Sequence, residues 1–178
     1  MSAGDSGRPF LPVNIGVLTV SDSRTLDTDT SGDVLSERIR AAGHKLMDRK
    51  LVGDDADAIV TALRAWIAEP GIDVIITAGG TGVTGRDVTP EAVRAVADKE
   101  IPGFGELFRW LSYAKIGTST VQSRALAAVA HGTYVFALPG SPGACKDAWD
   151  DILVHQLDSR NRPCNFVELM PRLREHLK

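Results

Sequence analysis

Four strand-like runs, each followed by a segment of helical periodicity, limit what this chain can fold into more than any other feature. The runs cover residues 13–20, 45–52, 73–78 and 133–138, and the first, third and fourth are rich in β-branched and apolar side chains. Uninterrupted apolar strands of this kind are buried on both faces. Strands joined through helices of ten or more residues pair in parallel through right-handed crossovers. The fold class expected is therefore α/β, a three-layer α/β/α sandwich with a mostly parallel central sheet. Ligands in such folds bind beyond the carboxyl ends of the strands.

The helical segments carry their own punctuation. Val34, Leu35, Ile39 and Ala42 recur at helical spacing and stop at Gly43, while Ala56, Ile59, Val60, Leu63 and Ile67 do the same before Pro70-Gly71. Thr89-Pro90-Glu91 and Ser141-Pro142 each pair a capping residue with a proline of the first turn. A helix is expected over 104–111, an amphipathic stretch over 123–129, and a last helix within 165–177. Residues 1–11 read as a loose tail and 12–178 as a single domain.

Three strand ends carry unusual loops, and the parallel pattern sends all of them to one edge of the sheet. They are Ser21-Asp22-Ser23, the segment from Gly79 to Asp87, and Pro139-Gly140-Ser141-Pro142-Gly143. The middle loop has four glycines in seven positions, Gly79, Gly80, Gly82 and Gly85. A plain turn needs one or two. Residues without a Cβ let backbone N–H groups converge on phosphate oxygens, beside the positive end of the following helix. Gly80-x-Gly82-x-x-Gly85 matches the letter of the dinucleotide fingerprint, but the helix starts only at Thr89-Pro90, beyond the last glycine. A phosphate-binding P-loop fails as well, because Arg86-Asp87 stand where Lys and Ser or Thr belong.

Acids border these loops. Asp87 is a helix cap or a magnesium ligand, since Mg²⁺ is held by one or two carboxylates plus phosphate oxygens. One of Asp54 and Asp55 caps the second helix, which leaves the other free. Asp22 is either a turn residue or a ligand, and Arg86 and Arg124 offer planar donors to phosphate. His44, His131, His155 and His176 have no metal-ligand spacing, and no Gly-x-Ser-x-Gly elbow is present. Phosphoryl or nucleotidyl transfer suits this set best. A net charge of −3 gives no basic field for nucleic acid, and no segment reaches the length of a membrane span. Two cysteines without paired spacing, Cys145 and Cys164, fit a reducing cytoplasm.

Ile76-Thr77-Ala78-Gly79-Gly80-Thr81-Gly82 followed by Arg86-Asp87-Val88-Thr89-Pro90-Glu91-Ala92 resembles the signature of the MogA/MoaB family of molybdenum-cofactor biosynthesis, which includes the G domains of gephyrin and its plant counterpart. The likeness extends through Thr19-Val20-Ser21-Asp22, Pro102-Gly103-Phe104-Gly105-Glu106, Ser123-Arg124-Ala125 and Leu138-Pro139-Gly140-Ser141-Pro142. Residues 116–120 and 156–166 are similar to segments of the MoaB branch. The resemblance implies that the protein adenylylates molybdopterin with Mg²⁺ and ATP, releasing pyrophosphate. The alternative within the same pathway is an idle molybdopterin-binding scaffold. The resemblance places the catalytic, metal-holding acids on Asp54 and Asp87. It lines the substrate pocket with Ser21, Asp22, Gly79, Gly80, Thr81, Gly82, Glu106, Ser123, Arg124, Pro139, Gly140 and Ser141. It also implies a homotrimer or a hexamer. The apolar residues Phe104, Leu107, Phe108, Trp110, Leu111 and Tyr113 serve either that assembly or the core.

Overall fold

The computed structural model describes residues 7–177. Its centre is a six-stranded sheet in the order β2-β1-β3-β6-β5-β4, made of β1 (Asn14–Val20), β2 (Lys45–Val52), β3 (Val74–Ala78), β4 (Lys99–Glu100), β5 (Leu126–Ala130) and β6 (Thr133–Leu138). Only β5 runs against the rest. The expected three-layer, mostly parallel arrangement is what the sequence folds into. Strands β3, β5 and β6 are buried along their whole length, whereas β2, at the sheet edge, alternates exposed and half-buried positions. Lysines on that outer strand (Lys45, Lys50) are the usual guard against edge pairing.

Helices α1 (Thr30–Ala41), α4 (Pro102–Ile116) and α5 (Pro142–Ala148) cover one face, where Leu35, Ile39, Phe104, Phe108 and Trp149 meet Ile15, Val17, Ile76 and Phe136. Helices α2 (Ala56–Ile67) and α3 (Thr89–Val96) cover the other with Ile59, Leu63, Trp66 and Val93 against Leu18, Ile75 and Val135. Asp29 caps α1 by accepting from Gly32 N, and Asp55 caps α2 by accepting from Ala58 N at 2.8 Å. Asp54 thereby takes no part in the cap.

Several expectations are corrected. The stretch over 123–129 is not an amphipathic surface segment: its second half is β5, whose sequence LAAVA is buried throughout. The helix expected over 104–111 runs from Pro102 to Ile116. The last helix is broken into Phe166–Leu169 and two 3-10 turns, because Pro171 has no N–H to continue the α ladder. Thr89 does not cap α3. It is the first helical residue, and its hydroxyl donates to Gly79 O at 2.8 Å.

Of the tail expected to be loose, residues 1–6 lie outside the described part, and the end of the remainder is tied down. Leu11 N donates to Ser159 Oγ at 2.9 Å, the same hydroxyl donates to Pro9 O, and Phe10 packs against His44. No helix among the described residues is long and apolar enough to cross a membrane.

Candidate functional site

Parallel pairing brings the carboxyl ends of β2, β1, β3 and β6 to one rim, and the reversed direction of β5 brings residues 122–125 to the same rim from its amino side. A cleft of about 610 Å³ opens there. It gathers Ser21, Gly79, Gly80, Thr81, Gly82, Asp87, Ser123, Pro139, Gly140 and Ser141 from the residues expected by sequence. A larger hollow of about 700 Å³ lies between α2, α3 and the carboxyl-terminal turn. Neither the glycine loop nor Asp87 lines it, whereas both line the smaller cleft, so chemistry assigns the site there; Asp22 and Asp54 line neither hollow.

The glycine loop is shaped by contacts that only glycine permits. Gly79 has φ +116°, and a Cβ there would stand 2.1 Å from Val20 O. Gly80 has φ +68°, and its Cβ would meet Thr89 Oγ1 at 2.3 Å. Gly80 O in turn accepts from Thr89 N at 3.1 Å, which seats the loop on the first turn of α3. The backbone amides of Gly80, Thr81 and Gly140 have no partner among the described residues. They are donors available to an anion.

Arg124 braces this loop from behind. Its Nε donates to Gly82 O at 2.6 Å, its Nη2 donates to Asp87 O at 2.6 Å, and its guanidinium pairs with the Glu91 carboxylate. Arg124 N also donates to Thr81 O at 2.8 Å. The guanidinium thus holds the shape of the loop and does not line the cleft. Glu106 is likewise outside it, in a separate depression with Arg94, Glu100 and Arg109.

The acids fall into two arrangements. Asp22 and Asp54 are reciprocally bonded, Asp22 N donating to Asp54 Oδ2 at 3.1 Å and Asp54 N donating to Asp22 Oδ1 at 2.9 Å. Arg86 pairs with Asp22. Asp87 Oδ2 accepts from both N and Oγ1 of Thr84 at 2.8 Å, and no side chain caps α3. Burial raises the carboxyl of Asp54 above its ordinary value, and the negative charge of Asp87 adds to that rise. Burial acts upward on Asp87 too, but the Thr84 and Gly82 hydrogen bonds and the charge of Arg124 outweigh it and hold its carboxyl low. The structure therefore brings Asp54 and Asp87, from different strand ends, within electrostatic reach of each other.

Sequence reasoning missed three charged residues of the cleft, Arg24, Lys115 and Asp147. Arg24 Nη1 donates to Ser31 Oγ at 3.0 Å and to Gly140 O at 3.1 Å, and Ser31 Oγ donates to the same carbonyl at 2.6 Å. These bonds tie the loop after β1 to the loop after β6. Its neighbourhood to Ser21 was a signal for Arg24. Lys115 and Asp147 lie inside helical periodicity and carry none.

The profile of a family described as "Probable molybdopterin binding domain" matches residues 16–159. The chain is 48% identical over 157 residues, 88% of its length and 92% of the relative's, to "Molybdenum cofactor biosynthesis protein B" of Escherichia coli K12. A crystal structure of a molybdenum cofactor biosynthesis protein B superposes with a TM-score of 0.85 at 39% identity, covering 94% of this chain and 99% of that one. A protein of Pyrococcus furiosus described as the tungsten cofactor synthesizing protein MoaB superposes with a TM-score of 0.72 at 37% identity, covering 80% and 91%.

Proposed function

The chain belongs to the molybdopterin-binding family of molybdenum-cofactor biosynthesis proteins, and from that premise we propose that it adenylylates molybdopterin. A phosphate oxygen of molybdopterin attacks the α-phosphorus of ATP. The new P–O bond forms as the bond from the α-phosphorus to the bridging oxygen breaks, and pyrophosphate leaves with that electron pair. The products are adenylyl-molybdopterin and pyrophosphate.

Two polyanions repel, so the site must supply positive or donor character where they meet. The unpartnered amides of Gly80, Thr81 and Gly140 are such donors at the rim. Asp54 and Asp87 carry the reading: two carboxylates from separate loops, the first held above its ordinary value by burial and by the charge of the second. A divalent cation held between them would relieve that repulsion. No cluster of three or more acidic, histidine or cysteine ligands exists among the described residues. The pair fits Mg²⁺ arriving with its nucleotide, for which one or two carboxylates and the phosphate oxygens suffice. Held by Asp54 and Asp87, the cation would offset charge on the phosphates. Asp22 holds Asp54 in place, Thr84 holds Asp87, and Arg124 fixes the loop between them.

The apolar stripe Leu107, Trp110 and Tyr113 on α4, with Trp110 73% exposed, is assigned to contacts between copies of the chain in a trimer or a hexamer. A monomer in sedimentation at micromolar concentration overturns that assignment. We assign the reaction to the cytoplasm, the compartment that two cysteines without paired spacing fit.

The test is incubation with molybdopterin, ATP and Mg²⁺ and measurement of pyrophosphate. Release matching molybdopterin consumption supports the proposal. Binding of molybdopterin without release identifies a non-catalytic carrier and ends it.

A further inference from the structure

The cleft crosses the strand ends from one helical layer to the other, and its two sides differ in chemistry. Towards α2 and α3 lie the glycine loop and Asp87. Towards α4 and α5 lie Phe108, Ser112, Lys115, Ile116, Ala144 and Asp147. Asp87 and Asp147 are the only acids lining the cleft among the described residues. The proposed transfer uses the first at the phosphate end and gives the second no role.

Lys115 Nζ donates to Asp147 Oδ1 at 2.6 Å and to Asp151 Oδ2 at 3.4 Å. Asp147 Oδ2 has no partner among the described residues, and its side chain is 29% exposed. The ammonium fixes the carboxylate and leaves Oδ2 and one lone pair of Oδ1 available. One cation facing two acids leaves this end negative, which turns phosphate groups towards the glycine loop.

A fixed carboxylate with spare lone pairs selects an edge that presents two adjacent N–H donors. The pyrimidinone ring of a pterin has that edge, N3–H beside the 2-amino group. Adenine offers a donor beside an acceptor (the 6-amino group and N1), and the acceptor lone pair faces a carboxylate unfavourably. Phe108 and Ile116 provide apolar surface for the faces of a flat ring.

We propose that Asp147 reads the N–H edge of the pterin and that Lys115 is its positioning residue. This rests on the cleft being the molybdopterin site. It adds which residue distinguishes the pterin from the nucleotide base, and which way round the substrate lies.

The test is fluorescence titration with 6-hydroxymethylpterin and with the matching lumazine, in which a carbonyl oxygen replaces the 2-amino group. The unaltered protein is expected to prefer the pterin by ~10-fold or more, the discrimination of one good bidentate pair. Asp147→Asn, which turns one acceptor into a donor, abolishes the preference and leaves Mg·ATP binding by calorimetry unchanged. Lys115→Gln lowers the preference part of the way, and Lys115→Arg restores it. A preference that survives in Asp147→Asn overturns the proposal. Pterin binding with the full pattern of variants but no pyrophosphate release supports it while the adenylyltransferase reading fails. An unaltered protein that shows no preference between the two heterocycles, or binds neither, overturns the proposal, while pyrophosphate release with molybdopterin leaves the adenylyltransferase reading standing.

Discussion

The four strands β2, β1, β3 and β6 and the edge pair β5–β4 build the same sheet but contribute to the rim in opposite ways. The parallel four send a loop to the rim from every carboxyl end, and those loops carry Asp22, Asp54, Asp87 and the Pro139–Ser141 turn. The turn that joins the edge pair to β6, His131-Gly132, lies at the far end. The pair reaches the rim only because β5 is reversed, and it delivers there Ser123, on the cleft wall, and Arg124, which braces the glycine loop from behind. Parallel strands multiply loops at one place; a single reversed strand lets one of them, the glycine loop after β3, be held from the outside.

The largest effect that would separate the two regions is on stability. Asp29 is fully buried behind β1, accepting from Thr19 Oγ1 at 2.6 Å, from Gly32 N and from Arg49 Nη2 at 3.0 Å. Asp29→Ala leaves Arg49 without this partner and is expected to cost ~3–5 kcal/mol in urea unfolding. The exposed pair Arg94–Glu100 beside β4 contributes little, and Arg94→Ala is expected to change stability by under ~1 kcal/mol. Equal losses would remove the contrast. Burial acts to raise the Asp29 carboxyl, but its hydrogen bonds and Arg49 hold it below the ordinary 3.8. A carboxyl lowered on folding stabilises fully above its unfolded value and less as pH falls through the lower native one. Acid unfolding followed by circular dichroism should therefore have a shallower slope in Asp29→Ala than in the unaltered protein.

Next come the acids of the rim. Asp54→Ala and Asp87→Ala are each expected to lower adenylylation by at least ~100-fold, about 2.7 kcal/mol of barrier, with the fold kept. Two folded variants that retain activity dispose of the assignment. Arg124→Ala tests the edge contribution and is expected to cost ~10-fold, read as the rate of pyrophosphate release. An unchanged rate would mean that the loop keeps its shape unaided. The smallest change is spectroscopic. In Asp87→Asn the carboxyl of Asp54 should titrate lower than in the unaltered protein, followed by carbon NMR, because one of the two causes raising it is gone.

The parallel half was legible because its signals are local. Val13 to Val20 and Val74 to Ala78 are apolar runs, and Asp55 precedes an amphipathic helix as a cap should. The edge was not. Leu126–Ala130 has three alanines in five residues, which favour helix locally, and only pairing between β6 and β4 makes it a strand. The two residues of β4 are too few to leave a pattern. In the site, the glycine loop and the acids could be named from their motif, but the tying of Asp54 to Asp22 is a contact across 32 positions that no spacing announces. The role of Arg124 was hidden for a related reason: its partners Gly82, Asp87 and Glu91 meet it only after the sheet has formed.

Strands β2 and β3 flank β1 on either side, and adjacent strands stand ~4.8 Å apart, so the chain leaves the sheet towards Asp54 and towards Asp87 from points about 10 Å apart. That interval is a property of backbone pairing, common to every such sheet, and no replacement of side chains alters it. The gauge that the proposed cation and phosphate would have to fit was thus set before any reactive residue was chosen, and sequence drift at the rim can retune the chemistry only within a fixed width.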